Sequence, residues 1–566
     1  MRNKKRFAKL ISSLLVASMA AGLVAGCGGG GDQGTSGNAE AAGGTESAGN
    51  AGGGSSSDAG IQDGVPTYRI ATVRWTDAWP TDFLDSGIMA EMEEKYGINI
   101  EWEIYYASDW AEQKSLLLAS GDLPDAFLGS NALTSSDLTQ NKDSFIDLAP
   151  YVNEETMPNF MRATQENPSL LAVCTERDGT ILSLPKELPL RPEVAGYAAF
   201  INKEWLDNLG LEMPTTCEEL EEVLYKFVTE DADGDGDPNN EIGISAYAAA
   251  NRLSSDLWQI MGMYAGTFVS RQDNYMGLDA NSQPVFVPVE QNYYEAVKWM
   301  RNLWERGILD PEYFTQDNSM YTAKLQAEGG SRAGLIFGWT ADAVVGLNVG
   351  QYQVLEAPTA YDGNHYVENA TTNIDIANRE LIITNNCQNP EKLLAWADGF
   401  YDDLATLQTY YGSISDGCIT DNGDGTYTVN VPSDGSSLDT SAWSNSLRDF
   451  GPKYMSPSFQ EKVTLPEDQG DGVKLALDEV NGKYVKEDTN VVMPVLHYTD
   501  EEEARLTTLG TDIYTYVESM YAHWVTEGGI EEEWDDYLAQ LDQMGLQELL
   551  EIQRTAYAAY QESLGK

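Results

Sequence analysis

Between residues 68 and 128 the apolar pattern switches repeatedly between two periods, and this alternation limits the architectures open to the chain. Residues 68–73 read as a β-strand, and a helical stretch follows around 83–96. Ile98, Ile100, Trp102 and Ile104 then alternate strictly with polar positions, the period of a second strand. Another helix covers about 110–119. Pro124-Asp125 punctuates, and Ala126-Phe127-Leu128 is a short third strand. Strand, helix, strand, helix, strand predicts a parallel sheet covered by helices. Ligands of such sheets bind beyond the carboxyl ends of the strands. The loops after Val73 and Leu128 are therefore candidate pocket walls.

The remaining length supports more than one core. Thr216 with Glu219 predicts a capping box, and Leu220, Val223, Leu224 and Phe227 share one face of the helix behind it. Tyr293, Val297, Met300 and Trp304 mark another amphipathic helix. Residues 333–337 look like a buried strand leading to Trp339, and 392–410 read as helical. Thr499 with Glu502 opens a long helix whose apolar face is Leu506, Leu509, Ile513, Val517, Met520 and Trp524. Further helices run from 531 to 560. Stripes of this kind are core, and no chemistry is assigned to them.

The head of the chain is of another kind. Arg2, Lys4, Lys5, Arg6 and Lys9 precede a short apolar run, residues 10–24. That run is shorter than the roughly 20 residues of a membrane-spanning helix, and the pairing reads as a secretory signal peptide over 1–26. Leu23-Val24-Ala25-Gly26-Cys27 resembles the bacterial lipobox, in which the cysteine is lipidated and becomes the mature N-terminus. Residues 27–64 then hold little but Gly, Ser, Ala, Asn and a few acids. Such a segment cannot bury a core, and as a coil it spans roughly 35 Å. A lipidated Cys27 and a disordered tether would hold a folded body away from a membrane.

Charge narrows the partners. Lys and Arg number 34 against 90 Asp and Glu, a net −56. A surface so acidic repels phosphate backbones, so nucleic acid is not an expected partner. Beyond Cys27, the cysteines are Cys174, Cys217, Cys387 and Cys418, with no C-x-x-C pair among them. Free buried thiols are expected in a chain of this length, although three full pairings are open. His365, His497 and His523 are far apart, which leaves little material for a His-based zinc site or a Ser-His-Asp triad.

The sharpest local motif is Asp231-Ala232-Asp233-Gly234-Asp235-Gly236-Asp237-Pro238-Asn239-Asn240-Glu241. Calcium takes six to eight oxygens, and an EF-hand-type loop supplies them from positions 1, 3 and 5 with Gly at 6. Asp231, Asp233, Asp235 and Gly236 fill those places. Asp237 would add a backbone carbonyl, with Asn239 and Glu241 completing the shell. Position 12, where the usual loop has Glu, is Ile242. The expectation is a structural calcium ion with no catalytic part.

Several blocks resemble bacterial extracellular solute-binding proteins of family 1. They are Phe200-Ile201-Asn202-Lys203-Glu204-Trp205-Leu206-Asp207-Asn208-Leu209-Gly210-Leu211, Ser120-Gly121-Asp122-Leu123-Pro124-Asp125, Arg177-Asp178-Gly179-Thr180-Ile181-Leu182 and Trp304-Glu305-Arg306-Gly307-Ile308-Leu309-Asp310-Pro311. Towards the end, Gly529-Ile530-Glu531-Glu532-Glu533-Trp534 and Gln553-Arg554-Thr555-Ala556-Tyr557 are similar to the lipoprotein subgroup of larger carbohydrate binders. The resemblance implies an α/β, two-lobe periplasmic-binding-protein fold, type II-like, with a hinge and several C-terminal helices. By that analogy lobe 1 takes 65–187, lobe 2 takes 188–331 with the calcium-like loop, 332–389 return to lobe 1, and 390–566 return to lobe 2. It also implies a monomeric receptor on the extracellular face of the cell membrane, and the lipobox at Cys27 with its glycine-rich tether points to a lipid anchor on a Gram-positive surface. Such a receptor delivers a carbohydrate, most naturally an oligosaccharide, to an ABC permease and catalyses nothing itself.

Sugars present apolar C–H faces ringed by hydroxyls, so a binder stacks aromatic rings on the faces and turns carboxylates, amides and arginines to the hydroxyls. Trp75 and Trp79 sit on the loop after the first strand, and Trp339 follows a later one. Trp258 and Tyr264 flank a glycine-containing turn. Asp77, Asn131 and Arg191 are the expected polar partners. Two other classes compete. A secreted glycoside hydrolase needs a carboxyl pair about 5–10 Å apart, and no block resembles a hydrolase motif. A surface adhesin would show repeats, and none is found. A receptor for peptides or another solute shares the same fold.

Overall fold

The structure, a computed structural model, describes residues 64–190, 198–249, 252–253, 255–268, 274–368, 376–485 and 491–565, with the backbone alone at 248–249, 252–253, 255–258 and 491–492. The expected signal peptide, Cys27, nearly all of the tether and Arg191 lie outside the described residues. Trp258 is placed only by its backbone.

Lobe 1 begins with β1 (Thr67–Arg74). Neighbouring residues of this strand serve opposite faces of the sheet. Ile70 packs with Leu128, Leu184, Leu381 and Trp396 on one side, while Ala71 and Val73 meet Phe127, Ile382 and Trp110 on the other. After α1 (Gly87–Tyr96) the chain turns at Gly97, whose φ of 62° lets its N–H cap the Glu93 and Glu94 carbonyls. There follow β2 (Asn99–Tyr106), α2 (Trp110–Ser120), β3 (Ala126–Leu128) and α3 (Ser135–Gln140). β1 pairs in parallel with β2 and β3, setting Thr67 beside Asn99 and Ile70 beside Ala126. The parallel sheet expected from the alternating periods is present. β4 (Leu184–Glu187) closes its edge.

Lobe 2 contains β5 (Ala198–Asn202), α4 (Cys217–Phe227), β6 (Ile242–Ile244), α5 (Ser255–Ala265), α6 (Gln291–Glu305), β7 (Ala333–Gly338) and β8 (Tyr352–Val354). The strands run in the order β8-β5-β7-β6. Thr216 caps the Glu219 N–H as expected, but the Glu219 carboxylate reaches the Thr215 N–H at 2.8 Å. α5 corrects one expectation. Trp258 and Tyr264 lie within a helix and do not flank a turn. Gly262 belongs to that helix because the Phe268 ring packs where a side chain would be; a Cβ there would lie 2.2 Å from its Cδ1.

The crossovers also differ from the expected ones. β7 does not return to lobe 1 at 332: it pairs with β5 and β6 in the second sheet, with all six residues buried. The return is made by β9 (Ile376–Ile383), inserted antiparallel between β3 and β4. Residues after 390 then stay in lobe 1 through α7 (Pro390–Asp398), α8 (Asp403–Tyr411) and α9 (Leu438–Asn445). Trp396, Phe400 and Tyr401 fill the lobe-1 core. An apolar run does not say which sheet will supply its hydrogen-bond partners.

α10 (Gly470–Asn481) leads away from lobe 1. α11 (Asp500–Glu527), α12 (Ile530–Met544) and α13 (Leu546–Ser563) complete the chain. Thr499 and Glu502 form the reciprocal capping box of α11. The stripe Leu509, Ile513, Val517 and Trp524 packs with Leu220, Phe227, Tyr293, Met300 and Leu335 in the lobe-2 core. The four cysteines from Cys174 onward are free thiols, three of them buried. Burial pushes the Cys174 and Cys217 thiols up to about 12.

Candidate ligand-binding cleft

Three stretches lie together where the lobes join: β4, β9 and the chain near 449–454. The Lys186–Glu380 ion pair spans the first two at 2.7 Å, both side chains almost wholly buried. Glu380 Oε2 also accepts the N–H groups of Gly451 at 2.8 Å and Ser130 at 3.2 Å. The Glu187 N–H donates to the Lys453 carbonyl at 2.9 Å. One buried carboxylate thus ties both crossover strands to the loop after β3, which carries Asn131.

The loop after β1 carries an aromatic patch. Trp75 is 52% exposed, and its ring is backed by buried Phe450 at 5.7 Å. Trp79 stacks on Trp443 of α9, with centroids 5.0 Å apart and planes 11° from parallel. Trp443 in turn meets the edge of Phe450 at 5.7 Å. Beneath lies Arg74, 1% exposed, with its guanidinium 5.6 Å from the Trp443 ring centre. Its N–H groups go to the carbonyls of Trp443 and Ser446. Burial brings its pKa down to about 10. Arg74 therefore fastens the end of α9 to the end of β1 and sets Trp443 under Trp79. The Asn131 amide donates to the Val73 carbonyl at 2.9 Å, holding the start of the same loop. Asp77 is exposed on that loop.

α10 joins this patch to lobe 2. Asp471, in its first turn, accepts from Arg448 Nη2 at 2.9 Å and from the Tyr411 hydroxyl at 2.6 Å. The same Nη2 reaches Asp439 Oδ1 at 2.9 Å. Asp439 lies four residues before Trp443 on α9 and so shares its face. One helical turn beyond Asp471, the Lys474 ammonium sits 4.7 Å from the Trp339 ring centre at the end of β7. At the far end of α10, Asn481 Oδ1 accepts the Ala357 N–H at 2.9 Å. The order Trp79–Trp443–Asp439–Arg448–Asp471–Lys474–Trp339 is thus a contiguous wall from lobe 1 to lobe 2. Arg448, Asp471 and Lys474 are buried within it, while the rings and the half-exposed Asp439 can stack on a flat C–H face and accept from hydroxyls.

The sequence-expected residues divide. Trp75, Asp77, Trp79, Asn131 and Trp339 lie along this wall or on the loops that hold it. Tyr264 does not join it: its ring stacks on Trp299 at 4.3 Å and on Tyr361 at 5.4 Å in lobe 2. Trp443, Phe450, Asp439, Arg448 and Lys474 were not singled out from the sequence. The one local signal was a tryptophan within a Ser- and Asn-rich stretch, 441–446, that lacks an apolar stripe.

A polar cavity lies elsewhere. It encloses about 1020 Å³ between α3 with residues 176–183 of lobe 1 and the start of α11. Its walls are mostly polar and ionic, without a tryptophan, and three contacts tie them together. Arg177 meets Glu502 at 2.5 Å, His497 meets Glu176 at 3.0 Å, and the Thr139 hydroxyl donates to Glu503 at 2.8 Å. The aromatic wall is preferred on its chemistry, because it presents tryptophan rings where the cavity has the smaller rings of Tyr498 and Tyr514.

The acidic loop joins α4 to β6. The carboxylates of Asp231, Asp233 and Asp235 bring oxygens within 4.8 Å of one another, the only such group among the described residues. Gly234 and Gly236, at φ 77° and 95°, allow the chain to curl, and the Gly236 N–H points back to Asp231. Glu241 Oε1 accepts the Ala232 N–H at 2.8 Å, while its buried Oε2 has no hydrogen-bond partner. Burial, aided by neighbouring carboxylates, holds the Asp233 and Glu241 pKa values above the usual range. Asp237 and Asn239 are exposed and bonded to each other at 2.9 Å. A hard cation fits this donor set: three carboxylates in reach and an orphaned fourth.

The sequence model described as bacterial extracellular solute-binding protein matches residues 77–402, more than half of the chain. The fructooligosaccharide ABC transporter substrate-binding protein FusA of Streptococcus pneumoniae is 29% identical over 506 residues, 85% of this chain and 88% of FusA. An EF-hand mutant of FusA in complex with fructo-nystose superposes with a TM-score of 0.72 at 28% identity, covering 88% of this chain and 99% of that one. An HMO-binding, ABC-transporter-associated solute-binding protein of Bifidobacterium longum infantis superposes at 0.75 with 24% identity, over 88% and 99% of the two chains. No described helix is long and apolar enough to cross a membrane.

Proposed function

This chain belongs to the bacterial extracellular solute-binding protein family, and from that premise we propose that it captures an oligosaccharide between its lobes and hands it to the permease of an ABC importer. The observation that carries the reading is the aromatic wall, in which Trp75 and Trp79 present rings backed by Phe450 and Trp443 and continue across α10 to Trp339. A ligand touching both lobes stabilises the closed form by its differential affinity for it. Similarity to FusA along most of both chains supports the oligosaccharide class. The protein acts as a receptor and leaves the sugar intact. Arg191 and Trp258 remain candidate contacts.

Cys27 carries the lipid anchor, and residues 27–64 serve as a tether that keeps a monomeric receptor at the outer face of a Gram-positive membrane. Calcium occupies the loop of Asp231, Asp233, Asp235 and Glu241, with Asp237 and Asn239 at its rim. Its role is to neutralise four carboxylates and stiffen the link between α4 and β6. The donor set and the EF-hand of FusA support this assignment.

The test is a thermal-shift screen of the mature protein against mono- and oligosaccharides with calcium present. A ligand that binds only the folded state raises Tm by mass action, by about 2.7 kcal/mol of stability at a hundred times Kd. One glycan class should shift Tm and elute unaltered after incubation. Trp75→Ala and Trp79→Ala should each weaken its binding about two- to tenfold, since ring stacking contributes on the order of 0.5–1.5 kcal/mol. Silence across all sugars, or cleavage products, would refute the reading. A chelator should lower Tm, and Asp233→Asn should remove that effect.

A further inference from the structure

The charged groups of the wall point to the kind of glycan it accepts, an inference that rests on the oligosaccharide reading above. The described cations near the rings, Arg448, Lys474, Arg74 and Lys186, are all buried. Arg448, 4% exposed, is shared between Asp439 and Asp471 and lies 4.1 Å from the Tyr410 ring centre. Lys474, 1% exposed, lies over Trp339. Arg74 is buried against backbone carbonyls.

Apart from Asp471, the carboxylates are less buried. Asp439 keeps 38% of its side chain exposed beside the rings. Asp449 adjoins Phe450, and Asp471 lies behind Arg448. Asp342 is exposed three residues after Trp339, in the other lobe. Burial first, and then Asp471, Asp449 and Asp342, outweigh Arg448 and hold the Asp439 carboxyl above the usual range. The arrangement is more than an acidic patch, because two of its buried atoms, Arg448 Nη1 and Asp471 Oδ1, have no hydrogen-bond partner among the described residues.

We propose that this wall selects an uncharged oligosaccharide and rejects an acidic one: Trp75 and Trp79 stack on the sugar rings, Asp439, oriented by Arg448, accepts their hydroxyls, and Asp342 approaches from the facing lobe. A carboxylate accepts hydrogen bonds from hydroxyls at no electrostatic cost to a neutral sugar. A uronate brought to the same place meets like charges from both lobes as they close, while the described cations beside the rings are buried.

The test is calorimetric titration of the mature protein, with calcium present, against two panels of matched length. One holds neutral fructo-, malto-, xylo- and galacto-oligosaccharides; the other holds oligogalacturonates and oligomannuronates. A neutral member should bind, and every uronate should bind at least about thirtyfold more weakly at low salt. Asp439→Asn keeps an acceptor but removes the charge, so it should raise uronate affinity about fivefold relative to neutral affinity. Asp342→Asn, outside the Arg448 network, should do the same and serves if the first variant fails to fold. Uronates binding as tightly as neutral glycans would overturn this proposal and leave the oligosaccharide reading standing. So would two folded variants with unchanged discrimination. Failure of both panels would overturn the two together.

Discussion

Replacing Lys453 with methionine should make this protein more stable at neutral pH. Lys453 is fully buried where the three crossover stretches meet. Among the described residues its ammonium donates to the Thr409 carbonyl and hydroxyl alone, both at 3.4 Å. Burial brings its pKa down from 10.5 to about 7, with Lys186 and Arg448 adding to the fall and Glu380 and Asp449 opposing it. Below about 7 both folded and unfolded states hold the proton, and the fold bears the whole cost of a buried charge. Between about 7 and 10.5 the unfolded state binds the proton and the folded state does not, so stability rises with pH. Above 10.5 the cost is gone.

A shift of this size corresponds to roughly 4–5 kcal/mol at full protonation. Methionine has similar length and no charge, and the two long hydrogen bonds it forfeits are worth about 1 kcal/mol each at most. The net gain at pH 7 is therefore about 2–3 kcal/mol, on the order of 5 °C in Tm for a lobe-sized unit. Calorimetry of both proteins from pH 6.5 to 9.5 should show that gain shrinking by more than half at the alkaline end. A variant less stable than the parent at pH 7, or an offset that does not change with pH, would refute the neutral lysine and with it this account of the hinge.

Other predictions concern the scaffold. Burial, against an opposing Ile100 N–H, raises the Glu93 carboxyl to about 7. The folded state therefore keeps a proton between about 4.5 and 7 that the unfolded state has lost, and stability falls as pH rises through that window; Glu93→Gln should flatten this slope in urea titrations. Thr499→Ala removes the α11 cap and should cost about 1 kcal/mol in urea unfolding, with faster amide exchange confined to the first turn. Gly472→Ala would set a Cβ 1.7 Å from the Pro466 carbonyl oxygen. The first turn of α10 could not seat, so loss of glycan binding by calorimetry should accompany a lower Tm.

Much of the secondary structure was legible because its signals are local. The strict alternation at Ile98, Ile100, Trp102 and Ile104, the buried run at 333–337 and the cap at Thr499 each record how a few neighbouring residues meet a core or a backbone N–H. The acidic loop is legible for the same reason, since all its donors lie within eleven consecutive positions of the sequence.

The cleft wall is not local. Trp79 rests on Trp443, Trp75 on Phe450, and Asp471 on Arg448 and Tyr411. Which sheet β7 joined was open for the same reason, and so were the crossovers misplaced at 332 and 390. The sequence by itself determined the periods of the strands and helices, the caps, the cation-ready loop and the family. Only the tertiary structure decided which distant side chains meet, because a contact between residues hundreds of positions apart leaves no period for either segment to display.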